Sequence, residues 1–401
     1  MKAGSELLKR QQTPIHFRNK DMDFMLNWSL GISQLIGMSP GEILLIAQKI
    51  RNGQPQDWES GFKQHAHYLA EQARRSLEKG YCRTASQQYF GACYALKAAL
   101  QFSDPRLPDY QSNYDRMEEY FSKGSHLANL PLQEITIPYQ NTHLPGYYLK
   151  SRREKQPTLL VIGGGDTGRA DLFYFLGQKA FQADYNVLMV DLPGQGINPA
   201  RNLTFTVDAG QAVSAVLDWY DAPSGAIALA GLSGGGYFTA QAVEKDKRIK
   251  AWIASTPIYD IKAVFQHSFG RLSALPNPVL QFAGSLLSSV SAVTAVQLKK
   301  YAWQFGTENF SQAVKEVLKQ AYTVNIDKIS VPSLFLAGKG EDAELIRQAK
   351  VLAQNLSARD IPAALKEFDS LSGADAHCQV NNLRLMNHIV LDWLDMTFKN
   401  R

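Results

Sequence analysis

The sequence predicts an α/β protein in which helices cover both faces of a mostly parallel sheet, with a helical domain before the sheet and a helical cap insertion within it. Two observations support this fold class. From residue 158 onward, short apolar runs alternate with longer amphipathic stretches, as in parallel sheets whose strands are joined by helices. Between Trp58 and Phe102, in contrast, apolar residues recur at helical spacing. The chain therefore combines a helical part with an α/β part.

Length and composition exclude several other classes. A chain of 401 residues with 45% hydrophobic residues can form a large core and favours two structural units over one. The 42 basic and 37 acidic residues are spread along the chain without a basic stripe, so we expect no nucleic-acid partner. Three cysteines, Cys82, Cys93 and Cys378, lack metal-site spacing and indicate a reducing compartment. Because the N-terminus lacks an apolar signal segment, we expect a cytoplasmic protein.

The first part of the chain is predicted to be an N-terminal helical domain, residues 1–128, that acts as a lid. Its apolar side chains recur at three- and four-residue steps until a break at Gly80. The composition changes near residue 130, where residues 135–150 contain two β-prone runs around a turn and predict a hairpin. We therefore place a second domain at residues 129–401.

The second domain contains the alternating strands and helices. The apolar runs that we interpret as its strands after the hairpin are residues 158–164, 186–191, 225–231, 249–255, 331–338 and 363–369. Helical stretches separate most of these runs, and a final helix is predicted from Gln379. This order predicts a parallel sheet with helices on both faces.

A mostly helical segment, about residues 261–325, interrupts the alternation and is too long for a simple crossover. We interpret it as a cap. Residues 274–298 within it carry no charge and are long enough to cross a bilayer, but serines, threonines, glutamines and prolines weaken their hydropathy. We therefore predict a buried helical part of the cap and no membrane span.

The pentapeptide Gly231-Leu232-Ser233-Gly234-Gly235 is the strongest chemical signal in the sequence. It has the pattern G-x-S-x-G and stands between a predicted strand and a predicted helix, which is the context of a nucleophile elbow. Glycine is needed two residues before and after the serine because side chains there would collide with the neighbouring strand or helix. A simple strand-to-helix turn is the alternative, but the context favours Ser233 as a catalytic nucleophile.

A serine nucleophile needs a base and an acid, which in this fold follow it in the order serine, acid, histidine. Glu341 and Asp342 lie in the loop after the strand at 331–338, and either can be the acid, with Glu341 favoured. Asp260 is an outside candidate. His377 lies after the last strand and is the predicted general base.

An oxyanion needs backbone N–H donors, one from the residue after the serine and one from a loop after an earlier strand. Gly234 provides the first, and Gly165 or Asp166 is predicted to provide the second. The same glycine-rich loop could instead bind phosphate, but it lacks both the G-x-G-x-x-G fingerprint and the lysine of a P-loop. The oxyanion role is therefore favoured.

Taken together, these segments resemble the α/β-hydrolase superfamily, and within it the group of 2,6-dihydroxypseudooxynicotine hydrolase and the polyketide chain-shortening hydrolases. The segments that carry the resemblance are "GISQLIGMSPGEI", "YFGACYALKAAL", "LLVIGGGDTGRADLFYF", "DLPGQG", "GLSGGGYFTAQAV", "LAGKGEDAEL" and "GADAHCQVNNLRLMNHIVLDWLD". The resemblance implies an N-terminal helical domain over the active site, cleavage of a C–C bond beside a ketone in some members and of esters in others, and a possible homodimer. Members commonly place the acid where "GKGED" stands, which supports either Glu341 or Asp342.

The sequence thus predicts a serine hydrolase that needs no cofactor or metal and acts on a small molecule. Aromatic residues near or within the cap, Tyr259, Phe265, Phe269, Trp303 and Phe305, suggest a bulky apolar or aromatic substrate, although each could simply belong to the core of the cap. Retro-Claisen cleavage of a polyketide-like or aromatic β-dicarbonyl is the leading hypothesis. A carboxylesterase or thioesterase is the alternative, and a non-catalytic binding protein on the same fold is a remote one.

Overall fold

The computed structural model of the protein describes residues 8–222, 225–269, 276–321 and 323–398. An eight-stranded sheet forms its centre, with the strand order β1-β2-β4-β3-β5-β6-β7-β8. The strands are β1 (Leu132–Tyr139), β2 (Thr142–Leu149), β3 (Thr158–Ile162), β4 (Asn186–Val190), β5 (Ile227–Leu232), β6 (Ile249–Ser255), β7 (Ser333–Gly338) and β8 (Ala363–Phe368). β1 and β2 form the predicted hairpin, which pairs antiparallel with β4, and all other pairings are parallel. The predicted α/β class with a mostly parallel sheet is confirmed.

Helices precede the sheet. They are α1 (Lys20–Ile32), α2 (Pro40–Gln48), α3 (Pro55–Glu78), α4 (Cys82–Leu100) and α5 (Pro108–Leu127). Local signals set their ends: Ser39 and Glu42 form a capping box at the start of α2, and Gly80, with φ +79°, follows the end of α3. Trp58 on α3 is fully buried, and its indole N–H donates to the carbonyl of Ala98 on α4. α3 and α4 therefore pack closely as a pair.

The remaining helices cover the sheet and form the cap. They are α6 (Arg169–Leu172), α7 (Gln178–Gln182), α8 (Gly210–Trp219), α9 (Gly235–Lys245), α10 (Ile261–Phe269), α11 (Asn277–Val290), α12 (Ala292–Gln304), α13 (Phe310–Gln320), α14 (Ala343–Ala358) and α15 (Leu383–Phe398). One apolar core joins the N-terminal helices to one face of the sheet, and a second joins α8, α9 and α14 to the other face. β3, β4 and β5 are buried along their whole length, which explains their unbroken apolar runs.

The charge-free stretch of the cap forms α11 and the first part of α12. Within the described ranges, no helix is long and apolar enough to cross a membrane. The prediction that this stretch is buried is wrong for α11, where Phe282 is 71% exposed and Leu286 and Val290 also face outward. Leu280 packs against Val314 of α13 on the inner side. α11 is therefore packed on its inner side, while Val279, Phe282, Leu286 and Val290 on its outer side are exposed.

The last helix starts later than the sequence suggested, at Leu383 instead of Gln379. A short helical turn, His377–Gln379, precedes it, and Cys378 and Gln379 have φ values of +54° and +51°. A right-handed helix cannot continue through such residues. The chain therefore reverses here and leaves His377 in a loop at the carboxyl end of the sheet.

Candidate active site

Ser233 lies in the sharp turn between β5 and α9. Its φ of +56° is an unfavourable conformation for a residue with a side chain, and its N–H donates to the carbonyl of Ser255 at 2.9 Å. Steric contacts explain why the residues two positions before and after Ser233 are glycines. A Cβ on Gly235 would lie 2.5 Å from the carbonyl oxygen of Gly163, and one on Gly231 would collide with the carbonyl oxygen of Gly235. The turn therefore requires glycine on both sides of the serine.

Three of the predicted residues meet at the carboxyl end of the sheet. Ser233 Oγ is 2.8 Å from Nε2 of His377, and Nδ1 of the same imidazole is 2.8 Å from Oε2 of Glu341. His377 is 7% exposed and Glu341 is 3% exposed, so both stay largely out of water. The Cβ of Ser233 carries its hydroxyl away from the strand and toward the histidine. The arrangement is that of a nucleophile, a base and an acid in line.

The structure distinguishes between the two adjacent carboxylates. Glu341 also accepts a hydrogen bond from the N–H of Gly338 at 2.8 Å. Asp342 points elsewhere: it caps α14, where its side chain accepts the N–H of Glu344 at 3.0 Å, and it lies 3.6 Å from Nε2 of His267. Asp260, the outside candidate, accepts the N–H of Ala263 at 2.9 Å near the start of α10. Glu341 is therefore the carboxylate beside His377.

Thr256, directly after β6, is a member of this group that sequence reasoning missed. Its hydroxyl donates to Oε2 of Glu341 at 2.9 Å and lies 3.2 Å from Nδ1 of His377. Its φ of +71° is rare for a β-branched residue and marks a strained position. The sequence does not reveal the hydrogen bond to Glu341 or the positive φ of Thr256, because both depend on how the ends of β6 and β7 lie beside each other in the sheet.

The surroundings of His377 favour its charged form. Burial opposes a charge on the imidazole, but the adjacent Cys378 and the Glu341 carboxylate outweigh that effect and raise the pKa of His377. The Phe24 ring of α1 lies 6.2 Å from the imidazole, between ring centroids. The Glu341 carboxylate can therefore stabilise the imidazolium that forms when neutral His377 accepts the proton of a serine.

The glycine-rich loop after β3 approaches Ser233 closely. A Cβ on Gly164 would lie 2.6 Å from the Cβ of Ser233 and 2.9 Å from the nitrogen of Gly234, so only glycine fits. A Cβ on Gly234 would lie 3.9 Å from the nitrogen of Gly165. In the part of the chain that the structure describes, neither the Gly165 N–H nor the Gly234 N–H has an acceptor. Two free amide groups therefore lie side by side next to the serine.

Asp166, the other predicted donor residue, is bound through its side chain and its carbonyl. Its carboxylate lies 3.2 Å from Nζ of Lys300 and 3.5 Å from Nη1 of Arg10. Its carbonyl accepts from Nζ of Lys97 at 2.5 Å and from Gln101 at 3.1 Å. Partial burial opposes its charge, but Lys300, Arg10 and Lys97 outweigh this and lower the pKa of Asp166. Sequence reasoning could not reveal these partners, because they come from distant segments of the chain.

An apolar cavity opens over Ser233 and reaches into the cap. Phe265 and Phe305 line it, together with Leu8, Phe205, Tyr237, Phe238, Ile258, Ile261, Val264, Tyr301, Phe310, Val317 and Leu345. Few polar side chains reach it apart from the residues around Ser233. The cavity can therefore hold a mostly apolar molecule with one carbonyl group near Ser233.

Two of the aromatic residues predicted to bind substrate do not line this cavity. Trp303 packs edge-on against Tyr110 of α5 at 5.5 Å between ring centroids. Tyr259 turns toward α14, where its hydroxyl accepts from Arg347 at 3.4 Å. Trp303 thus joins α12 to α5, whereas Tyr259 faces away from the cavity. The side chain of Phe269 lies outside the described residues.

No metal centre is formed by the residues that the structure places. Among them, no group of three or more histidine, cysteine, aspartate or glutamate side chains could hold a metal ion. Cys82, Cys93 and Cys378 are all free cysteines.

Comparison with known proteins identifies the class. The profile of the alpha/beta hydrolase family matches residues 159–375, more than half of the chain, and the chain therefore belongs to this family. The match covers the segments that contribute Ser233 and Glu341 and ends two residues before His377.

Individual relatives are similar over nearly the whole chain. Hydrolase LUC6 of a Fusarium species is 25% identical, covering 92% of this chain and 94% of the relative. The 20-hydroxy-prefusarin hydrolase FUS2 of Gibberella moniliformis is also 25% identical, with the same coverage. Among solved structures, 2,6-dihydroxy-pseudo-oxynicotine hydrolase is 18% identical with a TM-score of 0.63, covering 92% of this chain and 96% of that one. AbyA5 is 14% identical with a TM-score of 0.64 and covers 94% of both chains. The protein is thus a hydrolase of this family, and its fold is similar to both solved structures over more than nine-tenths of the chain.

Proposed function

We propose that this protein is a serine hydrolase that cleaves a carbon–carbon bond next to a ketone in a bulky apolar substrate. The observation that carries the proposal is the unbroken series of hydrogen bonds from Glu341 through His377 to Ser233, with 2.8 Å on each side of the imidazole. His377 takes the proton of Ser233 while the hydroxyl oxygen attacks a carbonyl carbon. Glu341 fixes the tautomer of the ring and stabilises its positive charge.

The amide groups next to Ser233 provide the second part of the mechanism. The attack places negative charge on the carbonyl oxygen, and the N–H groups of Gly234 and Gly165 are free to donate to it. The N–H of Asp166, one residue further, is the alternative second donor. Such preorganised donors supply much of the rate enhancement in acyl transfer.

The cleavage follows from these groups without any additional reactant except water. Ser233 Oγ bonds to one ketone carbon of a β-dicarbonyl, and the tetrahedral intermediate collapses with breakage of the bond to the carbon between the two carbonyls. The electron pair goes to that carbon as an enolate, and the imidazolium of His377 returns the proton to it. Water, deprotonated by His377, then releases the acyl group as a carboxylic acid and restores Ser233.

Two observations support a polyketide-like or aromatic substrate, the kind of substrate for which we propose this reaction class. The cavity over Ser233 is lined almost entirely by apolar and aromatic side chains, which suits a polyketide-like or aromatic substrate. The sequence resembles a hydrolase group that includes polyketide chain-shortening enzymes, and the relative named 20-hydroxy-prefusarin hydrolase is similar over nearly its full length. A carboxylesterase or thioesterase would use the same groups and remains the alternative that the experiment must distinguish.

We further propose that the helical domain, residues 1–128, and the cap, residues 261–325, together form the lid. Leu8 lines the cavity from the N-terminal side, and Phe265, Tyr301 and Phe310 line it from the cap. A lid of this kind excludes water during the attack and decides which substrates fit.

Mass spectrometry of reaction products tests the proposed function. The purified protein is given aryl β-diketones, β-ketothioesters and simple aryl esters, with and without prior treatment with a fluorophosphonate, which labels activated serines. We expect the diketone to yield a carboxylic acid and a ketone, with esters slower, and the fluorophosphonate to abolish this and to label Ser233. Cleavage of esters alone would favour the esterase alternative, and the absence of both turnover and label would favour a non-catalytic protein.

The hydroxyl of Thr256 gives a prediction about the geometry of the acid. Thr256→Val keeps the shape and β-branching but removes the donor to Glu341, and we expect kcat to fall about tenfold, as for loss of a hydrogen bond to a charged group. Thr256→Ser keeps the hydroxyl and should retain most of the activity. Steady-state kinetics with a chromogenic ester, together with melting temperatures, check this. Equal rates for the valine variant and the wild type would contradict it.

A further inference from the structure

The loop that follows β3 is restrained mainly by hydrogen bonds and ion pairs from other segments of the chain, and less by bonds within the loop. Residues 163–165 are all glycine, so the chain there has little conformational preference. One internal bond restrains it, from the Gly164 N–H to Thr167 Oγ1 at 2.9 Å. Gln195 donates to the Gly163 carbonyl from the segment after β4. The remaining contacts come from the parts of the chain that cover the site.

Cap helix α12 and the end of N-terminal helix α4 bind Gly165 and Asp166, the second half of the loop. Gln304 on α12 donates to the carbonyl of Gly165 at 2.6 Å. Lys300, one turn earlier on α12, binds the Asp166 carboxylate at 3.2 Å and Oε1 of Gln101, directly after α4, at 2.9 Å. Lys300 is only 8% exposed. A buried ammonium group therefore joins the cap, the helical domain and the loop at one point.

Arg10, in the segment before α1, makes a second connection. Its guanidinium lies 3.5 Å from the Asp166 carboxylate and forms an ion pair with Asp21 of α1. Its carbonyl accepts the backbone N–H of His377 at 2.7 Å. Arg10 is also 8% exposed. One residue thus contacts both the loop after β3 and the loop that carries His377.

We propose that Lys300 and Arg10 are positioning residues, which hold Asp166 so that the Gly165 N–H stays beside the Gly234 N–H and aims at the oxyanion. This inference rests on the proposed serine hydrolase function. Because the two cations come from different covering parts, the oxyanion hole is complete only when both the cap and the N-terminal segment are seated on the sheet.

The test compares two adjacent lysines on α12. Lys300→Met removes the ammonium that binds Asp166 but keeps an apolar chain of similar length. Lys299→Met is the matched control, because Lys299 also joins α12 to the helical domain, through Asp104 at 2.8 Å, but does not touch the loop. Each variant is assayed for kcat and KM, for melting temperature, and for inhibition by an aryl trifluoromethyl ketone. Such ketones form a tetrahedral adduct with an active serine, and the adduct places an oxyanion in the hole.

A 1 Å displacement of catalytic groups can cost about 100-fold in rate, so we expect Lys300→Met to lower kcat by about 10- to 100-fold with KM changed less than threefold. The inhibition constant of the trifluoromethyl ketone should rise by the same factor as kcat/KM falls. Lys299→Met should match the wild type in both. An unchanged inhibition constant in Lys300→Met would overturn the proposal, even if the melting temperature fell.

Two further variants keep the test valid if Lys300→Met folds poorly. Lys300→Arg keeps the charge and should recover at least part of kcat. The double variant Lys300→Met with Asp166→Asn removes both charges, so it should recover thermal stability while kcat stays low. Recovery of kcat along with stability would show a purely structural role and overturn the proposal. If the wild type itself neither binds the trifluoromethyl ketone nor turns over substrate, the proposed function fails instead.

Discussion

Ser233→Ala is expected to lower kcat by roughly 10⁴- to 10⁶-fold, because the proposed mechanism has no other group that can form the covalent intermediate. The hydroxyl is 2.8 Å from His377 Nε2, and alanine leaves the imidazole without a proton to accept. KM should change little, since the apolar cavity that binds the substrate is untouched. Stopped-flow and steady-state kinetics on the preferred substrate measure the change in kcat and KM, and mass spectrometry identifies the product.

Folding controls make this result interpretable. Ser233 has a φ of +56°, and alanine tolerates that conformation no better than serine does, so the melting temperature should stay within a few degrees of the wild type. Ser112→Ala on the exposed side of α5 removes a hydroxyl that bonds only the carbonyl of Asp109, and it should leave kcat unchanged. Residual activity of Ser233→Ala above about 1% of the wild type would mean that another group performs the attack.

Sequence reasoning located the candidate triad well because its signals are local. Ser233 stands in a five-residue pattern, and Glu341 and His377 follow strands that the apolar runs reveal. Parallel strands place their carboxyl ends at one edge of a sheet, so residues far apart in the chain were expected to meet there. The structure does bring these three together.

The contacts that the sequence did not reveal all depend on packing between distant segments. Arg10 and Lys300 are separated from Asp166 by more than a hundred residues, and each is an ordinary charged residue in its own segment. Thr256 acquires its role from a positive φ at the end of β6. Composition likewise could not show that Phe305 lines the cavity while Trp303 packs on Tyr110, because both are aromatic and stand only two positions apart. Side-chain direction, not residue type, decides these cases.

Glu341→Gln is expected to lower kcat by roughly 10³- to 10⁴-fold, the second largest effect, whereas Asp342→Asn should leave it within about twofold of the wild type. The two neighbours lose the same charge by the same chemical change, which makes each the control for the other. Only Glu341 contacts His377, while Asp342 caps α14. Asparagine is also a good N-cap residue, so Asp342→Asn should keep its melting temperature as well.

The physical reason for the large effect is the tautomer of His377. Glu341 accepts from Nδ1 of the imidazole, which leaves Nε2 free to take the proton of Ser233. The amide of glutamine can turn its NH₂ group toward Nδ1, and the ring then carries its proton on Nε2, where it cannot act as a base. The Gly338 N–H favours that orientation, because it donates to Oε1 of Glu341 and so keeps an oxygen at that position, which leaves the NH₂ group on the side of His377.

The pH dependence of the residual activity distinguishes this explanation from a simple loss of structure. The Glu341 carboxylate helps to raise the pKa of His377, and removing its charge lowers that pKa. A base must be neutral to act, so activity rises as pH increases through the pKa of the histidine. We therefore expect the acidic limb of the kcat/KM profile of Glu341→Gln to move to lower pH, while that of Asp342→Asn stays in place. A shift in Asp342→Asn alone would assign the acid to Asp342 and require the loop after β7 to rearrange when substrate binds.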